Sequence, residues 1–321
     1  MASEVAPAPP ADLRIRALDL RRHGVYVALA AVIVFNLVFT PNFAHINNVR
    51  LQLVQVTPTV IVALGMALVI GAAGIDLSVG AVMALAAATL AASLEQGPWA
   101  AMGLAILAGA AAGLVNGTLV GVMRIQPIVA TLGLFVAGRG IALVIAEGRL
   151  TEIFDPTIRS IGTSPWLGGV QTGVFVAAFL AVCTSFLVRW TVFGRQLLAI
   201  GGNAAAARAA GLPVRRVLVV VYIICAVFAA VAGILATARS AAADPSFVGL
   251  LIELSAITAV VVGGAPLSGG RVRVLGTVAG ALLMQLIFAT LIRHDLTDSD
   301  ARMIQAAIIV VAVYFQRERL R

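Results

Sequence analysis

The sequence predicts an all-α integral membrane protein, a polytopic bundle of about ten transmembrane helices with both termini in the cytoplasm. Three observations carry this prediction. The 321 residues are 61% hydrophobic and only 11% charged, with a mean hydropathy of +1.06. A soluble domain holds about 45–50% apolar and about 25% charged residues. Apolar runs recur from residue 24 to residue 316. Ten helices of roughly 20 residues would use about 200 residues, which leaves room for connections but not for a sizeable soluble domain. Finally, all 22 basic residues are arginine, and their distribution along the chain is one-sided.

Residues 1–23 read as a cytoplasmic tail, first polar and proline-containing, then basic. Leu13, Leu18 and Leu20 among Arg14, Arg16, Arg21 and Arg22 predict a short interfacial helix over 11–22. The run 24–40 has a cleaved signal peptide as its rival reading. The polar stretch before it is long and no small-x-small cleavage pattern follows, so it is read as the first span. Further spans are expected over 51–72, 77–94, 99–123, 127–146, 170–188, 217–238, 254–262, 274–292 and 303–316. The run 254–262 is short and is expected to extend into Glu253 and the glycines that follow it. Residues 24–316 form the membrane domain and 317–321 a second cytoplasmic tail. Glycine and alanine crowd several runs, 84–92 and 109–113 among them, which predicts closely approaching helices.

With the N-terminus inside, Arg50, Arg149, Arg159, Arg239, Arg293 and Arg302 fall outside and Arg139 falls within a span. The other fifteen arginines fall inside, which is the bias expected of a membrane protein. Outer segments hold Glu147, Glu152, Asp155, Asp295, Asp298 and Asp300. The net charge of +8 and the pI of 11.1 therefore point to a lipid membrane and not to nucleic acid. The absence of lysine excludes a phosphate-cradling P-loop, a Schiff-base lysine and a lysine base. Cys183 and Cys225 lie in apolar runs and suggest no disulfide framework. His23, His45 and His294 are scattered over three connecting segments, without metal-ligand spacing.

The longest cytoplasmic connection, 189–216, is the most unusual stretch. Gly201 and Gly202 break the segment before them, and Asn203 is a good N-cap. The residues 204–210 are alanine-rich and strongly helix-favouring. Gly211 suits a left-handed C′ position, and Pro213 prevents continuation. A helix of about two turns is too short to stand alone in water, so it needs a surface. Two surfaces qualify at this point, the membrane or its own bundle, and a groove on a cytoplasmic partner.

Specific motifs bear on that choice. Gly74-Ile75-Asp76-Leu77-Ser78-Val79-Gly80 resembles the signature of sugar-type ATP-binding-cassette importer permeases, the ribose/xylose/arabinose/galactofuranose group. Gly194-Arg195, Gly201-Gly202-Asn203, Arg208-Ala209-Ala210-Gly211 and Val214 resemble that family's cytoplasmic coupling loop. Gly263-Gly264, Leu267-Ser268-Gly269-Gly270 and Leu275-Gly276-Thr277 resemble its late glycine-rich motif, and Thr131-Leu132-Gly133 with Arg139-Gly140 fits as well. Residues 136–140 and 253–264 look most like the galactofuranose permease. The resemblance implies the passive membrane half of a four-domain pump. A second permease, a copy or a paralogue, would pair with this chain. ATP-binding-cassette ATPase subunits beneath would bind ATP and Mg, and an extracytoplasmic sugar-binding protein would deliver the solute. It implies the bacterial cytoplasmic membrane, no cofactor in this chain, and no enzymatic activity of its own. The residues expected to meet the ATPase are Gly201, Gly202, Asn203, Arg208, Ala209, Ala210 and Gly211.

Polar residues inside the spans are the candidates for the translocation pathway. Asp76 sits in a glycine-interrupted break, where a carboxylate costs roughly 2.5–3.5 kcal/mol on insertion scales. It either caps the helix starting near Leu77 or lines the pathway with Ser78. Arg139 either pairs with a carboxylate such as Glu147 or Glu253, or reaches the solute. Gln52 and Gln55 share a helix face. With Asn116, Gln285 and Gln305 they offer amides that either bond sugar hydroxyls or bond other helices. A second L-S-x-G, residues 267–270, echoes 77–80, and the arginine topology puts both breaks on the cytoplasmic side. Two other functions remain open. An ion-gradient-driven secondary transporter of a small polar solute would need ion-binding carboxylates, of which Asp76 alone is visible. An intramembrane enzyme would need a catalytic constellation, and none is visible.

Overall fold

A computed structural model describes residues 11–316. The expected tails 1–23 and 317–321 therefore fall partly or wholly outside the described residues. Thirteen α-helices carry the described chain, with one antiparallel pair of two-residue strands. The helical bundle is the fold class expected from the sequence.

Helix α1 runs unbroken over Ala11–Phe39, so the expected interfacial helix and first span are a single element. The one breaker at their junction is Gly24, and a lone glycine costs only about 1 kcal/mol in a helix. Helix α2, Ile46–Gly71, is the central rod: every residue from Val60 to Gly71 is buried. It packs on α10 (Val214–Ser240), α11 (Ile252–Val262), α12 (Val274–Arg293) and α7 (Thr172–Trp190).

Helix α4, Pro98–Gly121, lies along α10 on a run of glycines four residues apart. A Cβ on Gly113 would stand 2.7 Å from Ile223 Cα, and one on Gly117 2.8 Å from Val219 Cα. The two backbones touch where side chains would otherwise hold them apart. This is how helices associate in lipid, where apolar solvent removes the hydrophobic drive between them.

Six helices among the described residues are long and apolar enough to cross a membrane: α2, α4, α5 (Pro127–Ile145), α7, α10 and α12. The other four expected runs fall on helices that are shorter or less apolar. Helix α3, Val79–Ala92, and α11 have 14 and 11 residues, about 21 and 16 Å at 1.5 Å per residue. Neither matches the roughly 30 Å hydrocarbon core. Helix α11 does not extend into the glycines after it, because Gly263 caps it and Gly264 takes a φ of +85°. The apolar part of α1, His23–Phe39, is likewise short. The last helix, α13 (Asp298–Gln316), opens with Asp298, Asp300 and Arg302. Helices α1 and α12 are joined by Asn36 Nδ2, which donates to Thr290 Oγ1 at 2.7 Å.

On the side away from 189–216, β1 (Thr151–Glu152) pairs with β2 (Ala242–Ala243). Helix α6, Pro156–Thr163, packs there on α10. Asp155 caps it, accepting from the N–H groups of Thr157 and Ile158 at 2.9 and 3.0 Å.

Candidate functional site

The break between α2 and α3 is a built feature. The chain reverses after Gly71 through Ala73, whose φ is +62°, and climbs back into the bundle. Asp76 then faces Tyr222 and Cys225 of α10. These residues lie eight and eleven positions into that helix, about 12 and 16 Å along its axis. Asp76 therefore lies against the second to fourth turns of α10 and not at either end of that helix. The start of the break and the 267–270 motif lie together, where the Gly270 N–H donates to the Gly71 carbonyl at 2.9 Å.

Asp76 Oδ1 accepts from the Ser78 N–H at 2.9 Å and from Ser78 Oγ at 2.6 Å. Asn116 Nδ2 donates to Ser78 Oγ at 2.8 Å. Thr131 Oγ1 accepts from the Leu77 N–H at 3.1 Å. Helix α3 starts at Val79, two residues later than expected, and its N-cap residue Ser78 makes no side-chain cap bond. Asp76 acts from two residues earlier, as an Asx-type turn that satisfies an orphan N–H. Asp76, Ser78 and Asn116 are at most 1% exposed. Asp76 Oδ2, Asn116 Oδ1 and the Tyr222 hydroxyl have no hydrogen-bond partner in the described chain. Tyr222 and Cys225 were not singled out by sequence reasoning, since nothing in an apolar helix marks which face meets a carboxylate. Thr131 had a signal, its place in the Thr131-Leu132-Gly133 motif.

Arg139 corrects another expectation. Glu147 pairs with Arg149 at 2.9 Å, both exposed, and Glu253 is not in ion-pair contact with Arg139. The guanidinium instead donates to the carbonyls of Pro245 and Val248 at 2.6 and 3.1 Å. It clamps the segment between α10 and α11 onto α5. Glu253 Oε2 is buried without a partner.

The three glutamines meet. Gln285 Nε2 donates to Gln55 Oε1 at 2.8 Å and to Gln52 Oε1 at 3.2 Å, tying α12 to α2. Beside them is a cavity of about 370 Å³ between α2, α11, α12 and α13. Thr59, Ser255, Thr258, Gln285, Arg302 and Gln305 give it hydroxyl, amide and guanidinium groups.

The 189–216 connection holds two helices. Sequence reasoning missed α8, Val192–Gly202, although its cap was visible: Thr191 Oγ1 accepts from the Gly194 N–H at 3.1 Å. The second, α9 (Ala204–Ala209), has the expected local chemistry. Asn203 Oδ1 accepts from the N–H groups of Ala205 and Ala206 at 3.0 and 2.9 Å. Gly211 takes a φ of +78°. Ala207 is buried, while Ala205, Ala206, Arg208, Ala209, Ala210 and Gly211 are exposed. One face of α9 seats it on the bundle and the rest faces outward.

A bundle of this kind, with a buried polar break and a capped, exposed short helix, is that of a multi-pass membrane permease. Residues 49–313 match the family described as branched-chain amino acid transport system / permease component, and the chain belongs to that family. It is 38% identical to the galactofuranose transporter permease protein YtfT of Escherichia coli, over 83% of this chain and 78% of that one. It is 34% identical to the ribose import permease protein RbsC of Escherichia coli, over 91% and 92% of the two chains. It is 30% identical to the L-arabinose transport system permease protein AraH of the same species, over 92% and 90%. These relatives bear out the resemblance drawn from the motifs. No solved structure matches the chain.

Proposed function

We propose that this chain is the membrane-spanning permease subunit of an ATP-binding-cassette importer in a bacterial cytoplasmic membrane. Its solute is a monosaccharide, a pentose or hexose, with galactofuranose among the candidates. The relatives named for galactofuranose, ribose and arabinose support the solute class. The observation that carries the mechanism is α9, capped at both ends and exposed over most of its surface. A helix of six residues holds its shape there only because caps and neighbours fix it, and it offers its outer face to a partner.

Both termini and α9 lie in the cytoplasm, as the arginine bias directs. ATP and Mg are held by a partner ATPase, and this chain, lacking lysine, supplies no P-loop of its own. An extracytoplasmic binding protein delivers sugar from the side of α6, and a second permease, a copy or a paralogue, completes the membrane unit. Nucleotide-driven movement of the ATPases rocks the permeases between outward and inward access. The pathway runs along the Gln52–Gln55–Gln285 cluster and the cavity beside it, whose amides, hydroxyls and one guanidinium suit transient bonds to a polyol. Asp76, Ser78 and Asn116 hold the break that shapes it, and Arg139 holds the outer segment against it.

The test is reconstitution in liposomes of the permease with and without its partner ATPase and sugar-binding protein. Sugar uptake is expected only in the complete assembly with ATP. Ala209→Glu is expected to leave the permease folded and to lower ATP-driven uptake at least tenfold. Uptake by the permease alone, abolished by an uncoupler and indifferent to ATP, would favour an ion-driven transporter instead.

A further inference from the structure

Three chain reversals that are far apart in sequence meet as bare backbone. Gly71 ends α2, Gly201 stands one residue before the end of α8, and Gly269 and Gly270 lie between α11 and α12. The Gly71 carbonyl is one of the last in α2 and has no partner in its own helix. The Gly270 N–H supplies that partner at 2.9 Å. A Cβ on Gly201 would overlap the same carbonyl oxygen and stand 2.7 Å from the Gly270 nitrogen. A Cβ on Gly269 would stand 2.8 Å from both the Ala73 nitrogen and the Gly201 carbonyl oxygen. Gly269 and Gly270 take φ of +88° and +75°, where other residues are strained. Gly202, the next residue after Gly201, has nothing within 4 Å of the place its Cβ would take.

We propose that Gly71, Gly201 and Gly269–Gly270 form a joint that carries displacement of α8 and α9 into the break holding Asp76. Gly201 is then a positioning residue for coupling. The inference rests on the reading that α9 meets an ATPase. Side chains between two moving parts can absorb displacement by changing rotamer; backbones in direct contact have no such slack. Helix α8 is also seated on the bundle by buried Leu197 and Ile200, one to four residues from Gly201. On its far side the joint leads through Ala73 and Gly74 to Asp76 within three residues of chain.

The experiment compares Gly201→Ala, Gly202→Ala and Ala209→Glu in the complete reconstituted assembly, reading sugar transported per ATP hydrolysed. All three permeases are first checked for assembly with the ATPase. Gly201→Ala is expected to lower that ratio at least tenfold further than Gly202→Ala does, although both add one methyl group to adjacent sites in the same helix. Equal effects of the two alanines would overturn the joint. If Ala209→Glu retains the wild-type ratio, the ATPase reading fails instead. Should Gly201→Ala not assemble, hydrogen–deuterium exchange on the wild-type assembly decides. Trapping the nucleotide-bound state is expected to change exchange in 71–76 and 266–271 together with 203–211. A change confined to 203–211 would refute the proposal.

Discussion

Asp76 shows how one residue does two things through separate atoms. Its Oδ1 holds the start of α3 through Ser78, while its Oδ2 stands buried without a partner. Asparagine keeps an oxygen at the first position and puts an amide nitrogen at the second. Asp76→Ala is expected to destabilise the detergent-purified permease by roughly 2 kcal/mol or more, since a buried N–H left unsatisfied costs about 1–3 kcal/mol. Asp76→Asn is expected to cost much less. Thermal unfolding followed by tryptophan fluorescence reads both, and equal losses would mean that the second oxygen and not the bonds to Ser78 holds the break. The motif made Asp76, Ser78 and Asn116 visible as candidates. Their meeting with Tyr222 and Cys225 was not visible, because it depends on how α10 is rotated. Arg139 was misread for a related reason: its partners are backbone carbonyls, which leave no trace in residue identity.

Elements with local causes were the easiest to foresee. Helix α9 was legible almost residue by residue, because Asn203, the alanines, Gly211 and Pro213 each act within one or two turns. Helix α8 was missed, since a connection rich in glycine and arginine reads as a loop until tertiary contacts bury Leu197 and Ile200. The α4–α10 contact was foreseen in kind, from its glycines, but not in partner. It makes a contrast within a single helix. Gly117→Val places a side chain where Cβ already meets Val219 Cα at 2.8 Å, and is expected to destabilise by about 1–3 kcal/mol or more. Gly103 has nothing within 4 Å, and Gly103→Val is expected to stay within about 0.5 kcal/mol. Thermal midpoints of the two variants in the same detergent make the comparison; similar losses would place the helices further apart.

At the scale of the whole molecule, hydropathy made the bundle legible and arginine sets an expected orientation, but neither fixes helix length. Runs of similar hydropathy became full rods in α2 and α10 and half-length helices in α3 and α11, because the bundle covers short elements that lipid would not tolerate. Orientation has a direct check in intact cells. With both native cysteines replaced, Ala205→Cys is expected to react with an impermeant thiol reagent only after the membrane is opened. Phe154→Cys, at a residue 74% exposed, is expected to react from outside. The reverse pattern would invert the topology. The sheet of contact between α4 and α10 has one more implication, for how this protein tolerates change. Most packed interiors fail when volume is removed, yet along Gly109, Gly113, Gly117 and Gly121 there is nothing left to remove. Every substitution at those sites adds matter to a seam already closed, so drift along the lineage can run there in a single direction, and that direction is harmful.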